Sequence, residues 1–314
     1  MSEWWRDVRR ARSASTRTRS VCHESTPLYP NHIISLNAQH YMADLPPFTP
    51  STFKQTEAPV PDWQSGQSVT ESAEGREWIA GEEQGWKVID TAAENPMNLY
   101  KLMISGIVPR PIAFVSSVSA DGVENLAPFS WFNMVTHNPP VISVSVSAAS
   151  GRPGDLKDTA SNIKATKEFT VNVISEPWVQ NANFCSMDMP PEVSEWPSSG
   201  LTKADSVIVR APRVKESAFS MECELLQPVE VVNPQTGKPT TTLILGLVKY
   251  IHVRNDMLNE RGNVDPAKFK PVSRMGDITY ATLGDGFRLP RPLWKDEEEN
   301  VMKAVAERPE GSNL

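Results

Sequence analysis

The sequence predicts a mainly β domain: an antiparallel sheet that closes on itself into a barrel, with a few added helices. Three observations predict it. Segments in the middle of the chain alternate apolar and polar residues with a period of two. Turn signals, more often than helices, join them. A sheet this rich in Val and Ile would leave aggregation-prone edges unless it closed.

The elements follow in order. Residues 96–107 predict a helix that ends before Pro109. In "IAFVSSVS", Ile112, Phe114, Ser116 and Val118 share one face, with Ala113, Val115 and Ser117 on the other. "ADG" at 120–122 is a hairpin turn. In "VISVSVS", Ile142, Val144 and Val146 oppose Ser143, Ser145 and Ser147. "DLKDTASNIKATKEF" is the clearer helix: Leu156, Ala160, Ile163 and Lys167 form one stripe, and Asp158 or Thr159 is its N-cap. "EFTVNVI" alternates again. So does "AFSMECELL", with Phe219, Met221, Cys223 and Leu225 opposite Ser220, Glu222 and Glu224. The pair Glu222 and Glu224 reads as a solvated or interface-facing edge. "NPQTGKP" is a long turn, followed by a strand, "TLILGLVKYIHV", in which His252 shares a face with Ile244, Gly246, Val248 and Tyr250. No repeat of 20–50 residues is visible, which excludes solenoids and propellers.

The ends differ from the middle. Residues 1–20 hold six Arg, no Lys and two acids, leaving 25 basic against 36 acidic residues beyond them. That start reads as a disordered leader, a mitochondrial presequence or an early start codon with Met42 as the true one. Residues 43–85 are rich in Pro, Ser, Gly and acids, with isolated apolar residues, and predict weak order. Trp63, Trp78 or Trp86 could still lie across the domain. The expected division is a leader over 1–85, a folded domain over 86–293 and a short acidic tail over 294–314.

Composition narrows the function classes. The 314 residues carry a net charge of −7, which argues against a nucleic-acid partner. No apolar run approaches the roughly 18–20 residues of a membrane span. Cys22, Cys185 and Cys223 are odd in number and form no C-x-x-C pair, as in a reduced cytoplasmic protein. Cys185 falls in a loop with no flanking base to activate it. The five histidines show no metal-ligand spacing.

Two stretches carry candidate chemistry. Lys157, Thr159 and Asn162 stand at a helix start after the loop "SGRPGD", an arrangement suited to a phosphate. The plain alternative is a capped helix with a solvated lysine. Arg110, between two prolines, is a rigid phosphate fork or the partner of a surface acid. "NLAPFSWFN" combines Pro128, which interrupts pairing, with Phe129, Trp131 and Phe132 and the polar Asn125, Ser130 and Asn133. It suits a flat, partly polar ring such as an isoalloxazine, or equally a bulged edge strand whose aromatics fill the core.

The ordered motifs "PRPIAFVSSVSADGVENLAPFSWFN", "NPPVISVSVS", "KDTASNI", "EFTVNVI", "APRVKESAFSMECEL", "IHV" and "VDPAKFKPVSRMGDITYATLG" resemble the flavin reductase-like, FMN-binding split-barrel family. The resemblance spans roughly residues 97–292. It implies a six-stranded antiparallel Greek-key barrel and a homodimer with FMN, prosthetic or exchangeable, near the dimer interface. It implies phosphate contacts from Arg110, Lys157 and Thr159 with Asn162 close by, a ring and ribityl chain along Asn125, Ala127, Pro128, Phe129 and Ser130, and Asn133 and Ser147 in reach. It also gives His252 a place toward the flavin as the candidate catalytic residue, although a lone strand histidine is more often structural. The implied chemistry is hydride transfer from NAD(P)H to flavin, which then serves an oxygenase, a metal or oxygen. The absence of G-x-G-x-x-G before a helix leaves the nicotinamide to an open surface. A non-catalytic FMN electron carrier or store is the alternative. A pyridoxamine-phosphate oxidase relative ranks last, because basic residues for a second phosphorylated ligand are missing.

Overall fold

Seven strands carry the architecture of the computed structural model, which describes residues 45–50 and 52–307. They are β1 (Ala113–Val118), β2 (Glu124–Phe129), β3 (Phe132–His137), β4 (Pro140–Ser147), β5 (Glu168–Val173), β6 (Phe219–Val232) and β7 (Pro239–Val253). All pairings among them are antiparallel, in the order β2-β1-β5-β6-β7-β4-β3. This is one strand more than the six expected.

The order explains the curl. β2 and β3 lie at opposite ends of the sheet, yet only Ser130 and Trp131 connect them. A few residues span at most about 3.6 Å each, so the two ends of the sheet must come together. The Ser145 N–H donates to the Trp131 carbonyl at 2.9 Å, which extends the β3–β4 ladder back to this corner, while no ladder joins β2 to β3. "NLAPFSWFN" is therefore the seam of a split barrel.

Alternation fills the inside. Ala113, Val115, Ile142, Val144, Val146, Phe169, Val171, Met221, Cys223, Ile244 and Val248 form one buried cluster. Gly246 is required there, because an added Cβ would stand 2.5 Å from Phe169 Cζ. The other face of β1 is buried as well: Ile112 and Phe114 join Trp178, Trp196 and Val214 in a second cluster. This accounts for a strand whose six residues are all buried.

Helices among the described residues include α1 (Ala73–Ala80), α2 (Pro96–Gly106), α3 (Asp158–Thr166), α4 (Val179–Phe184), the single turn α5 (Trp196–Ser199) and α6 (Trp294–Ala306), besides a further single turn over Pro266–Phe269. α2 begins at Pro96 with an Asn95 side-chain cap, as its sequence predicts. In α3 the N-cap position is Lys157, not Asp158 or Thr159, and no side chain caps the helix.

The expected weak order of the leader does not hold over residues 52–85. Gln55–Thr56 pairs with Gly286–Phe287, and α1 follows a Ser68/Glu71 capping box. Phe53 lies so close to Gly286 that a Cβ there would meet its ring at 2.6 Å, and Ser65 Oγ donates to Glu297 of α6 at 2.6 Å. Leader and tail thus pack on each other, a long-range pairing that local composition does not reveal. Trp63, Trp78 and Trp86 remain exposed rather than covering the domain. The presequence and Met42 alternatives lie outside the described residues. Among the described residues no helix is long and apolar enough to cross a membrane.

Candidate functional site

β2 is an edge strand, and this makes a site. The Leu126 N–H leaves the sheet and donates to the Glu195 carboxylate at 2.9 Å. By the two-residue repeat, positions 124, 126 and 128 turn their backbone groups outward, and Pro128 brings no N–H to that edge. The outward edge borders a cavity of about 140 Å³ lined by Asn125, Ala127, Pro128 and Phe129 of β2, Lys157 and Thr159 at the start of α3, Arg152, and the 185–189 segment. It is smaller than the roughly 300–1,000 Å³ of a whole-ligand pocket, so a nucleotide-sized ligand would reach beyond it.

Charge gathers at one end. Lys157 is exposed at the helix start. Arg152 follows Gly151, whose φ of 86° favours glycine. Its guanidinium meets Asp158 at 2.5 Å, Asp188 at 2.6 Å and the Met189 carbonyl at 2.6 Å. Burial opposes its charge, but the two aspartates outweigh this and raise its pKa.

Behind the cavity wall lies a buried relay. Glu195 accepts from Asn125 Nδ2 with both oxygens, each at 3.1 Å. Asn125 Oδ1 accepts from Thr159 Oγ1 at 2.7 Å. Burial pushes the Glu195 carboxyl up, aided by Asp158, and outweighs the hydrogen bonds that pull it down. Thr159, expected to donate to a phosphate, here spends its proton on Asn125.

Arg110 and Ser130 occupy a different hollow. With Asn133, Trp131, Phe132, Met103 and Ile107 they line an adjoining cavity of about 410 Å³. Arg110 is buried and pairs with no acid. It donates to the carbonyls of Ile104, Ile107 and Met275 and, at 3.4 Å, to Ser130. Burial, followed by repulsion from Arg274, lowers its pKa. The carbonyls of Ile104 and Ile107 are at the end of α2, so Arg110 closes a helix C-terminus and ties it to Met275. Asn133 Oδ1 accepts from the Met134 N–H.

The remaining expected residues fall elsewhere. Asn162 donates to Ser117 Oγ at 3.1 Å and lines a separate hollow with Ser161 and Asp121. Ser147 pairs with Thr241 and lines neither cavity. His252 lines neither cavity and bonds Glu222 at 2.6 Å. The period-two reading placed it on the face of Val248, but a bulge between Val248 and Tyr250 reverses the phase. Val248 pairs with Cys223 and His252 with Ser220, on opposite faces. Glu222, read as a solvated edge residue, is wholly buried, whereas Glu224 is exposed beside Lys249. Cys185 is buried rather than looped out, and burial with help from Glu195 pushes its thiol up to about 12.

Sequence reasoning missed Arg152 and Glu195. The two glycines around "SGRPGD" were a usable signal for Arg152. Glu195 lies 70 residues from Asn125 and carries no local mark.

Comparison with known proteins gives the family and the fold. Residues 105–271 match the model of the flavin reductase like domain. An uncharacterized protein of Aquifex aeolicus is 41% identical over 182 residues, covering 58% of this chain and 88% of its own length. The crystal structure of nitrilotriacetate monooxygenase component B from Bacillus cereus superposes with a TM-score of 0.62 at 36% identity, covering 65% of this chain and 99% of that one. The 2-nitrobenzoate 2-nitroreductase NbaA of Pseudomonas fluorescens gives 0.57 at 26% identity, over 66% and 96%.

Proposed function

This chain belongs to the flavin reductase-like domain family, and from that premise we propose that it is an FMN-dependent oxidoreductase that draws hydride from NAD(P)H and passes the electrons to a separate acceptor. The observation that carries the reading is the outward edge of β2 set beside the cation pair Arg152 and Lys157. Bound flavin would supply a reversible two-electron sink. The residues present fit it: Lys157 would meet a phosphate, beside Arg152 that Asp158 and Asp188 hold in place, and the Phe129 ring with the outward carbonyls of β2 would line a flat polar ring. Thr159 and Asn125 fix the wall between those ends. The adjoining hollow of Trp131, Phe132, Met103 and Ile107 offers apolar cover next to the same strand. This proposal assigns His252 no step, since it bonds Glu222 and lines neither cavity.

The acceptor is proposed as a partner oxygenase, which the monooxygenase-component name of the Bacillus cereus neighbour supports. A homodimer is proposed as well. Met134 and Val135, 68% and 53% exposed on the edge strand β3, supply an apolar face for a second copy.

An anaerobic visible spectrum of the FMN-loaded protein tests the proposal. Bleaching of the flavin by NADH or NADPH is expected. Flavin that stays oxidised with both, yet bleaches with dithionite, would overturn the reductase reading in favour of an electron carrier.

A further inference from the structure

The relay from Glu195 through Asn125 to Thr159 has a direction. Asn125 turns its amide donors to Glu195 and its carbonyl to the Thr159 hydroxyl. Thr159 therefore offers only lone pairs to the cavity. A phosphate dianion is also acceptor-only. As it stands, the relay opposes the ligand that Lys157 and Arg152 attract.

We propose that Glu195 is a positioning residue that takes up one proton when a phosphate dianion enters this cavity, reversing the relay so that Thr159 donates to the phosphate. The proposal rests on reading Lys157 and Arg152 as the phosphate end. The proton comes from solvent and no covalent bond changes. Protonated Glu195 donates to Asn125 Oδ1, while its second oxygen keeps the Leu126 N–H. The Asn125 amide flips and donates to Thr159 Oγ1. The Thr159 hydrogen is then free for the phosphate. Glu195, Asn125 Oδ1 and Thr159 Oγ1 each keep a hydrogen-bond partner in both states.

The surroundings favour this proton. From α3, Asp158 faces Glu195 and is itself held by Arg152. From the end of α4 the neighbour is the Cys185 thiol, which stays protonated. From β2 the neighbours are Asn125 and the Leu126 N–H, with Glu124 nearby but paired to Lys203. Lys203 stands over the Trp196 ring at 5.6 Å. Among the described residues no cation bonds Glu195 directly. Its carboxyl is already raised by burial before any ligand adds negative charge.

Calorimetric titration of the full chain at pH 7, in phosphate-free buffers of low and high ionisation enthalpy, counts the protons. FMN should bind with uptake of about one proton, and riboflavin, which lacks the phosphate, with none. The FMN phosphate, with a second pKa of about 6, can only contribute with the opposite sign. Glu195→Gln donates to Asn125 and still accepts from Leu126. It should bind FMN at least as tightly as the wild type, with no uptake. Thr159→Val should weaken FMN about tenfold and leave riboflavin unchanged. Absence of uptake in the wild type, or equal uptake in Glu195→Gln, overturns the proposal. If Lys157→Ala still weakens FMN in that case, the phosphate reading survives. If Lys157→Ala leaves FMN affinity unchanged, the phosphate reading fails and takes the proposal with it. Should Glu195→Gln not fold, the wild-type difference between FMN and riboflavin decides alone.

Discussion

Glu195 and Glu222 are both shut off from water, at 4% and 0% exposure, and they settle on opposite sides of the ordinary carboxylate value. Burial is the largest influence on each and pushes both up. At Glu222 the N–H groups of Val207, Ile208 and Val209, at 2.7, 2.8 and 3.3 Å, join His252 Nε2 at 2.6 Å and pull the pKa below that value. Glu195 has the Leu126 N–H, its own backbone N–H, one amide and the repulsion of Asp158, and lacks a histidine partner. The cover differs too. Over Glu222 lie Val207 and Ile208, themselves 61% and 43% exposed, so its layer is thin. The supply of donors, more than loss of water contact, decides whether a buried carboxylate stays charged. Glu222 is thereby a fixed anion that staples the 207–209 segment to the sheet, and Glu195 is left able to change state.

The largest test of this contrast is Glu222→Leu. It strands three N–H donors and one histidine, and it should cost roughly 2–4 kcal/mol, discounted for the thin cover. Urea unfolding at pH 7 measures it as a lowered midpoint at unchanged slope. A loss under about 0.5 kcal/mol would mean that water serves those donors and that the staple is not structural.

The pH dependence of stability should separate the two residues by sign. Glu222 has a lowered pKa when folded, so its contribution is present above the ordinary 4.5 and is lost as pH falls through its folded value. Glu195 has a raised pKa. Between 4.5 and its folded value the native state holds the extra proton, so stability falls as pH rises through that window. Glu222→Gln should flatten the acid limb below pH 4.5, and Glu195→Gln should remove the decline above it. Urea midpoints from pH 3 to 8 would show this, and slopes of the same sign at both sites would break the comparison.

How much of this was legible in the sequence follows from the range of each signal. Period-two alternation gave β1, β4, β5 and most of β6 and β7, because one face of each strand meets the barrel core. The same rule failed at His252, since one bulged residue reverses every face beyond it. "NLAPFSWFN" announced a bulged edge strand; β2 is an edge strand, but its ladder to β1 runs without a bulge through Pro128 to Phe129, because the proline ring sits on the unpaired side. Its seam position depends on strand order, which no local pattern carries. Lys157, Thr159 and Asn125 were identified and converge on one cavity. Arg110 was read as a phosphate fork because its carbonyl partners, Ile104, Ile107 and Met275, leave no trace in composition. Residues 52–85 looked disordered because their partners are 230 or more positions away.

The smallest effect concerns Cys185, which reads the charge of Glu195 from the side. With its pKa at about 12, only on the order of 10⁻⁴ of the thiol is thiolate at pH 8, against roughly a quarter for a free cysteine near 8.5. Alkylation by iodoacetamide, followed by peptide mass mapping to set Cys22 apart, should therefore be about 1,000-fold slower at Cys185 than at a free thiol. Burial comes first among the causes and Glu195 second. Removing the carboxylate in Glu195→Gln should thus speed labelling by less than about tenfold, since the covering residues remain. A larger acceleration would make the Glu195 charge, rather than burial, the dominant influence on this wall of the cavity.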